Sequence, residues 1–367
     1  MIRIDMSVGK ISFFQVCMIF MLMNGLLSHV ILNPMLLDAA GRDAWISVLL
    51  AGLLLLPWCA LLVLFMKRSG QQKLQPWLAS KTNIVVSWII VLPICLQLYL
   101  IGLSTVEQSS VWTNIDYLPG TPKFVIILVL CLASHFFASS GLRMIAISAG
   151  ILLPIVIALG FFVALSNMPQ KDMTLLKPVL EHGWQPVFHG MLYAGGGFIE
   201  LMMFVAVQHR MKPGTRVWKI IVFAVIMVYI TIGPIFGAIS EFGIAEAAKQ
   251  SDPPYEQWRL IKLGSNIEHV DFLSVFQWLT GAMIRIGFAQ FLLGELLPFS
   301  RARQRSWYNL IITVSYIGIA IIPIERYTIY LWIYRFYIPT SFTVALFVSL
   351  VCISISLFSR KFKEETA

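Results

Sequence analysis

Residues Tyr193-Ala-Gly-Gly-Gly-Phe-Ile-Glu200 place three consecutive glycines and a carboxylate in the middle of an apolar stretch, 185–209. A stretch of this length can cross a bilayer as a helix. Each glycine costs about 1 kcal/mol of helix stability relative to alanine, and a lipid-facing helix has no reason to carry that cost three times in a row. We therefore predict that the helix is interrupted at Gly195, Gly196 and Gly197 and that the interruption lines a cavity; the alternative is that the glycines permit close helix packing.

The composition of the whole chain is that of a membrane protein. Of its 367 residues, 58% are hydrophobic and 12% are charged, and the mean hydropathy is +0.81. Ten spanning helices of roughly 22 residues would use about 220 positions, which leaves no room for a separate soluble catalytic domain. The sequence predicts one integral membrane domain over residues 1–367, all-α and with ten transmembrane helices.

The positions of the spans follow from the distribution of charge. Eight apolar stretches contain no Asp, Glu, Lys or Arg, and two more are interrupted by charged residues. In chain order the predicted spans are 11–37, 44–66, 82–106, 124–142, 144–170, 185–209, 220–240, 271–297, 306–324 and 336–359.

Basic residues predict the orientation of these spans, because cytoplasmic loops retain Lys and Arg. With the N-terminus inside, 17 of the 27 basic residues fall in inner segments and 8 in outer segments, while Arg285 and Arg335 lie in the spanning segments or at their ends. Both termini are therefore predicted to be cytoplasmic. The net charge of +9 reflects the same asymmetry and does not indicate a nucleic-acid partner. The outer segment 241–270 is half apolar, and we expect it to form short surface helices that could cover an entrance.

The first span carries a second candidate interruption, Asn24-Gly25, near its centre. Spans one and six occupy equivalent positions if the chain consists of two five-helix halves. Paired interruptions in corresponding halves are typical of the substrate site of an inverted-repeat transporter. The predicted division is a first repeat over about 11–165, an outer loop over about 166–186, a second repeat over about 187–359 and a cytoplasmic tail, 360–367.

Two interrupted helices are expected to bind a small ligand that carries one negative and one positive group. An interruption leaves N–H groups at one half-helix and carbonyl groups at the other, which bind a carboxylate and an ammonium group respectively. An amino acid carries both groups. The predicted ligand-binding residues lie at the two interruptions and on spans three and eight: Asn24, Gly25, Leu26, Tyr99, Leu103, Ala194, Gly195, Gly196, Gly197, Phe198, Gly281 and Ile284.

Charged residues inside the spans are a second candidate feature, because a charge at the bilayer centre costs at least about 2.5 to 3.5 kcal/mol. Glu200 and Arg285 lie at similar depth, roughly 20 Å from the outer boundary at 1.5 Å per residue, and we predict that they form an ion pair, either structural or coupled to the ligand. Glu107, near the outer end of span three, is either an interfacial carboxylate or a cavity residue. Glu295 and Arg335 are predicted to be interfacial.

Sequence motifs for catalysis or for cofactors are absent. The chain has no HExxH motif, no P-loop and no GxSxG motif with partner residues, and its six histidines lack metal-ligand spacing except for the widely separated pair His182 and His189. Its five cysteines lie in apolar runs without CxxC spacing, as small buried hydrophobic residues do. We therefore predict no catalytic residue, no metal site and no cofactor, and we do not expect an enzyme.

Several segments in succession resemble the spore germination permease family, the B subunits of GerA-type germinant receptors within the amino acid/polyamine/organocation superfamily. The resemblance extends over essentially the whole chain in the order of the family. It is carried by Gly41-Arg-Asp-Ala-Trp45, Gly141-Leu-Arg143, Leu176-Lys-Pro-Val-Leu-Glu-His-Gly-Trp-Gln-Pro186, Tyr193-Ala-Gly-Gly-Gly-Phe198, Pro254-Tyr-Glu-Gln-Trp-Arg-Leu-Ile261, Ile267-Glu-His-Val-Asp271 and Trp278.

The resemblance implies a LeuT-like fold of ten helices, with helices one and six broken and a small-molecule germinant such as an amino acid bound within it. It also implies assembly with an A subunit and a C lipoprotein in the lipid of the inner spore membrane. Three functions stay open at this point. A receptor subunit uses ligand binding to bias a bundle with two states, whereas an amino acid/cation symporter uses the same site for alternating access; a structural subunit would have a degenerate site. The resemblance favours the receptor.

Thiol labelling tests the predicted topology. A cysteine introduced by Ser251→Cys is expected to react with a membrane-impermeant maleimide added from outside, because segment 241–270 is assigned to the outer face. Arg303→Cys, in an inner segment, is the control and should react only after permeabilisation. Labelling of position 251 from the cytoplasmic face alone would contradict the ten-span topology.

Overall fold

A computed structural model describes residues 9–262, 269–299 and 301–358. The predicted tail 360–367 and part of the outer segment 241–270 lie outside these ranges. Within them the chain is mainly helical and contains no β-strand, with one isolated parallel bridge between Ile11 and Met211. The predicted all-α class is therefore confirmed.

The helices follow one another with short connections. In chain order they are α1 (Phe13–Gly25), α2 (Leu32–Ala40), α3 (Ala44–Arg68), α4 (Leu74–Lys81), α5 (Ile84–Trp112), α6 (Lys123–Ser140), α7 (Leu142–Ser166), α8 (Trp184–Phe198), α9 (Met203–Val207), α10 (Val217–Phe242), α11 (Ile244–Ala247), α12 (Pro253–Arg259), α13 (Phe272–Leu296), α14 (Ala302–Ala320), α15 (Arg326–Trp332) and α16 (Ile338–Phe358).

Eight helical segments in the described part of the chain are long and apolar enough to cross a membrane. Several of them join two or more helices without an intervening loop, so their bounds differ from those of the single helices. The eight are Phe13–Arg68, Ile84–Tyr117, Lys123–Ser140, Leu142–Gln170, Trp184–Arg210, Val217–Phe242, Phe272–Leu296 and Arg326–Phe358.

The first of these segments contains two of the predicted spans. It is 56 residues long, about twice the length that one crossing needs. Between α2 and α3 the chain passes through Gly41, whose φ of +55° favours glycine. The predicted ninth span corresponds to α14, which has 19 residues but carries two arginines in its first turn and is not among the eight apolar segments. Ten crossings therefore stay a prediction.

Neither predicted interruption falls on the glycines themselves, because Asn24 and Gly25 end α1 and the three glycines lie within α8; a change of helix type follows each site. α1 passes into a π-helical segment, Leu26–Ile31, and then into α2. α8 passes into a 3₁₀ turn, Ile199–Met202, directly after Phe198, and then into α9. The expectation of an unwound gap with unpaired backbone groups was wrong for both segments. Wider and narrower helical turns change the direction of the chain while keeping most backbone groups hydrogen-bonded, which a lipid environment requires.

The segment Trp184–Arg210, which corresponds to the sixth predicted span, occupies the centre of the bundle. In its most apolar window 83% of residues are buried, against 22% for Leu142–Gln170. α8 packs against α2, α3 and α16, while α13 packs against α1, α5 and α6. Glycine and the other small side chains are therefore placed where helices approach one another most closely.

Two helices extend further than predicted. α5 continues through Trp112 into a π-helical turn, Thr113–Tyr117, so Glu107 lies well inside the helix. The last segment begins at Arg326 and places Arg335 in a π-helical turn between α15 and α16 rather than at a helix end. The short helices predicted in segment 241–270 are present as α11 and α12. All five cysteines are buried and unpaired, as predicted.

Close packing of α5 against α14 gives a test of the fold. A Cβ atom at Gly102 would collide with the ring of Tyr316, whereas one at Gly160 in α7 would meet no atom within 4 Å. Gly102→Val should therefore destabilise the protein by about 1 to 3 kcal/mol through overpacking. We expect the unfolding temperature of the purified protein to fall by several degrees for Gly102→Val and to change much less for Gly160→Val. Equal shifts for the two variants would contradict this helix contact.

Candidate functional site

Asn24 joins the two interrupted helices. Its side chain is fully buried, and Nδ2 donates to the carbonyl of Gly197 over 2.6 Å. The Ser28 hydroxyl donates to Asn24 Oδ1 over 2.9 Å and fixes the orientation of the amide. Gly197 lies in the last turn of α8, where carbonyl groups lose their α-helical partners. The side chain of one interrupted helix thus binds a backbone group of the other.

The three glycines of α8 contact three different neighbours. A Cβ atom at Gly195 would lie 2.8 Å from Phe342, one at Gly196 would collide with Ile338, and one at Gly197 would lie 2.7 Å from Ser28 and from Leu32. Phe342 and Ile338 both belong to α16, whereas Ser28 and Leu32 belong to the segment that joins α1 to α2, so the three glycines let two neighbouring segments approach α8 closely. Close packing, the alternative considered from the sequence, is therefore what the geometry of this conformation shows.

Glu200 and Arg285 form the predicted ion pair. Their carboxylate and guanidinium groups meet in a bidentate arrangement, with Nη1–Oε2 at 2.6 Å and Nη2–Oε1 at 2.5 Å, and the side chains are 3% and 1% exposed. Arg285 also donates through Nη1 to the carbonyl of Met23 and through Nε to the hydroxyl of Thr105, both over 3.0 Å. One guanidinium group therefore connects α13 with α1, α5 and the 3₁₀ turn after α8.

The residues predicted on spans one and eight lie beside this network. A Cβ atom at Gly281 would lie 3.3 Å from Leu26 and 3.4 Å from the carbonyl of Leu22, so α13 and α1 are in contact here. Ile284 and Leu26 are buried, whereas a Cβ atom at Gly25 would meet no atom within 4 Å. The structure thus brings Asn24, Leu26, the glycines, Gly281 and the ion pair into one junction, which we call the central junction.

The residues predicted on span three are not all part of this junction. The Tyr99 hydroxyl donates to Ser315 over 3.0 Å, and its ring packs against Tyr316 at 5.2 Å, so Tyr99 faces α14. Leu103 is partly buried against the core. The Glu107 carboxylate binds Lys123 Nζ over 2.7 Å at the start of α6. Glu107 thus anchors a helix end, a role that the sequence did not predict.

Thr105, Ser109 and Trp112 on α5 are functional candidates that the sequence analysis missed. Trp112 stacks on Trp278 with ring centroids 4.1 Å apart, and the Trp278 indole donates to Ser109 Oγ over 3.0 Å. Their spacing of four and three residues places them on one helix face, which was a signal available in the sequence. Trp278 lies seven residues before Arg285 on α13, about 10 Å away along the helix. The stacked indoles therefore cover the central junction.

A cavity of about 580 Å³ opens above the two indoles, on the side predicted to be outside. We call it the outer cavity. Its walls come from α2, the end of α5, the loop 248–252, and residues 325–335. Tyr255 of α12 packs edge-on against Trp112 with centroids 5.3 Å apart, so this short and largely buried helix supports the floor of the cavity.

Arg326 closes the rim of the outer cavity. It binds Asp116 after α5 over 2.8 Å and also contacts the carboxylate of Asp252 before α12. Burial raises the pKa of Asp252 to about 7, an effect that the attraction of Arg326 opposes and that Asp116 and Glu256 reinforce. The rim is therefore held by an ion pair in which one partner lies close to titration at neutral pH.

Glu295 closes the opposite end of the bundle. Its buried carboxylate lies 2.9 Å from His209 Nε2, accepts bonds of 2.9 and 3.0 Å from Arg210, and contacts Arg305. The backbone of Arg210 also accepts a bond from the N–H of Ile11. The prediction that Glu295 is interfacial missed this role, because sequence position does not reveal that His209, Arg210 and Arg305 surround one carboxylate.

Comparison with known proteins identifies the family of this chain. A family model described as spore germination protein matches residues 10–326. Spore germination protein XB of Bacillus anthracis is 36% identical over 331 residues, which cover 90% of this chain and 93% of that protein. Spore germination protein YndE of Bacillus subtilis (strain 168) is 26% identical over 209 residues, covering 55% of this chain and 57% of that protein. The chain therefore belongs to the spore germination permease family and is an integral membrane protein.

A double-mutant cycle tests the energetic role of the central ion pair. Glu200→Arg and Arg285→Glu each leave like charges buried together, and we expect each to lower stability by at least about 3 to 5 kcal/mol. The double swap should recover part of this loss, but not all of it, because a carboxylate at position 285 cannot donate to Met23 and Thr105. The measurements are the abundance of folded protein and its unfolding temperature.

The exposed pair Glu256 and Arg259 on α12 is the matched control, since its side chains are 32% and 59% exposed. Reversing either residue should change stability by less than about 1 kcal/mol. Strictly additive losses in the Glu200 and Arg285 cycle would show that the two side chains do not stabilise each other.

Proposed function

We propose that this protein is the B subunit of a germinant receptor, which binds a small-molecule germinant, an amino acid, and triggers spore germination with its partner subunits. The observation that carries the proposal is the central junction, where two interrupted helices meet at a buried ion pair. A ligand with a carboxylate and an ammonium group carries both an acceptor and a donor, so it can replace the contacts that Asn24 and Arg285 make with backbone carbonyls there. Membership of the spore germination permease family supports the same reading.

The arrangement of helices that we propose is LeuT-like, with ten crossings in two inverted five-helix repeats. The paired changes of helix type support it, because they fall in the first and sixth predicted spans, at equivalent places in the two halves. The proposed repeats are residues 11–165 and 187–359, with both termini cytoplasmic. The proposed binding residues are Asn24, Gly25, Leu26, Ala194, Gly195, Gly196, Gly197, Phe198, Gly281 and Ile284, together with Tyr99 and Leu103 at the periphery; Glu200 and Arg285 couple the site to the bundle.

Ligand entry in this proposal begins at the outer cavity and requires Trp112 and Trp278 to separate. In the present conformation Asn24 donates a hydrogen bond to the carbonyl of Gly197, and Arg285 donates one to the carbonyl of Met23. The ligand must therefore replace or rearrange these hydrogen bonds. A ligand shifts a two-state equilibrium only by its difference in affinity for the two states. Exchange of an internal hydrogen bond for one to the ligand supplies such a difference.

The partners in this proposal are the A subunit and the C lipoprotein of the receptor, and the location is the inner spore membrane. No catalytic step and no cofactor are involved. An amino acid/cation symporter is the alternative, and it would use the same junction to move its substrate. Binding of labelled amino acids to the purified complex, together with uptake by proteoliposomes, separates these functions: a receptor binds without accumulating the ligand, whereas a symporter accumulates it.

The germination response tests the central junction directly. Asn24→Ala removes the contact between the two interrupted helices, so we expect at least a tenfold shift in the amino acid concentration that gives half-maximal germination. Gly196→Val should have a similar effect, because its side chain would collide with Ile338. The measurement is the loss of optical density of a spore suspension, normalised to the abundance of the receptor.

Asn114→Ala is the matched control. Asn114 Nδ2 also donates to a backbone carbonyl over 2.6 Å, that of Thr121, but it lies in the turn after α5 and away from the junction. The control should leave the concentration dependence unchanged. An unaltered response of Asn24→Ala spores at normal receptor abundance would count against the proposed site.

A further inference from the structure

One wall of the outer cavity combines a carboxylate with a row of tyrosines. Asp38, in the last turn of α2, is exposed and lines the cavity together with Tyr327, Tyr330 and Tyr334. Neither the sequence analysis nor the central junction uses these residues. They lie above Trp112 and Trp278, where an arriving ligand is still separated from the junction.

The tyrosine rings form an ordered stack. Tyr327 and Tyr330 have centroids 6.5 Å apart, Tyr330 and Tyr334 5.8 Å, and Tyr334 and Tyr193 of α8 4.6 Å, with interplanar angles of 10° to 17°. Stacked rings cover each other's faces, so the groups that they offer to a ligand are their edges and hydroxyl oxygens. The row is therefore a preformed line of hydrogen-bonding groups.

Asp38 lies beside this row without a cationic partner. Its carboxylate lies close enough to Tyr193, Tyr330 and Tyr334 to act on them electrostatically, and it lines the same cavity as Tyr330 and Tyr334. No ion pair among the described residues includes Asp38, although Asp116 and Asp252 on the rim both bind Arg326. A carboxylate has several acceptor positions, and the exposed carboxylate of Asp38 can offer them to a ligand in the cavity. A primary ammonium group, with three N–H donors, matches one carboxylate and adjacent hydroxyl oxygens.

The charged residues that line the outer cavity favour a ligand that carries one positive and one negative group. Three acidic and three basic side chains line it, so a zwitterion meets no net repulsion. They are Asp38, Asp252, Glu325, Lys249, Arg326 and Arg335. The volume of about 580 Å³ lies within the range of small-molecule sites.

We propose that Asp38 and the hydroxyl oxygens of Tyr330 and Tyr334 form an outer binding site for the primary ammonium group of the ligand. The amino acid is held there before the indoles of Trp112 and Trp278 separate. This inference rests on the proposed function for the identity of the ligand, but the ammonium site itself is defined by the walls of the cavity. Capture at this position raises the local concentration of ligand above the central junction.

Binding of ethylammonium to the full-length protein in lipid nanodiscs tests the outer site. Ethylammonium supplies the ammonium group alone, and ethanol is its uncharged counterpart. Saturation-transfer NMR should show binding of ethylammonium at millimolar concentration and at least tenfold weaker binding to Asp38→Asn. Tyr334→Phe keeps the ring in the stack and removes one hydroxyl, so we expect about a threefold loss.

Glu325→Gln is the matched control, because Glu325 is another exposed carboxylate of the same cavity. It should change the dissociation constant less than twofold. Equal losses for Asp38→Asn and Glu325→Gln, unchanged binding to Asp38→Asn, or equal binding of ethanol and ethylammonium would overturn the proposal. Tetramethylammonium, which has no N–H donor, should bind at least tenfold more weakly than ethylammonium; equal binding would rule out recognition through the hydroxyl oxygens.

This experiment separates failure of the outer site from failure of the proposed function. Ethylammonium binding requires neither germination nor a carboxylate on the ligand. Loss of binding in Asp38→Asn together with an unaltered germination response in Asn24→Ala would keep the outer site and remove the central one. The opposite pair of results would keep the central junction and remove the outer site.

Discussion

The ion pair between Arg285 and Glu200 is the interaction on which the centre of the bundle depends. A single buried charge in an apolar bundle is strongly unfavourable, and a bidentate pair with further hydrogen bonds removes most of that cost. Arg285 uses its remaining donors on the Met23 carbonyl and the Thr105 hydroxyl. The guanidinium group therefore fixes α1, α5, α13 and the 3₁₀ turn after α8 relative to one another, and the geometry of the central junction follows from it.

The changes of helix type are a second consequence of the apolar surroundings. An unwound segment would leave backbone N–H and carbonyl groups without partners, and water is not available to satisfy them inside the bundle. The π-helical and 3₁₀ turns change the direction of the two helices while most backbone groups keep their hydrogen bonds. Asn24 donates a hydrogen bond to the Gly197 carbonyl. The consecutive glycines then allow α16 and the segment that joins α1 to α2 to approach α8 closely enough for these contacts to form.

Different types of side chain close the two ends of the bundle, and we call these two sets of contacts the outer and inner closures. On the predicted outer side, stacked indoles lie beneath a rim held by Arg326, and Asp252 titrates near neutrality. On the predicted inner side, three basic side chains bind the Glu295 carboxylate. The backbone N–H of Ile11, near the N-terminus, donates a hydrogen bond to the carbonyl of Arg210. A transporter must open both closures in turn, whereas a receptor can respond through one of them and pass the change to its partners. The difference between the two functions thus lies in how the closures are coupled.

The sequence by itself determined the membrane class, most of the helical segments and the pairing of Glu200 with Arg285, and it located both changes of helix type to within a few residues. Hydrophobic length and the cost of buried charge act locally along the chain, so they can be read from composition and spacing. Only the tertiary structure decided that the interruptions are π-helical and 3₁₀ turns, that Tyr99 faces α14, that Glu295 is surrounded by basic side chains, and that Asp38 lies beside a row of tyrosines. These features depend on the rotation of each helix about its axis. In a membrane protein the lipid-facing and core-facing sides of a helix are both apolar. The sequence therefore shows little of the 3.6-residue alternation between apolar and polar side chains that would reveal the rotation of each helix.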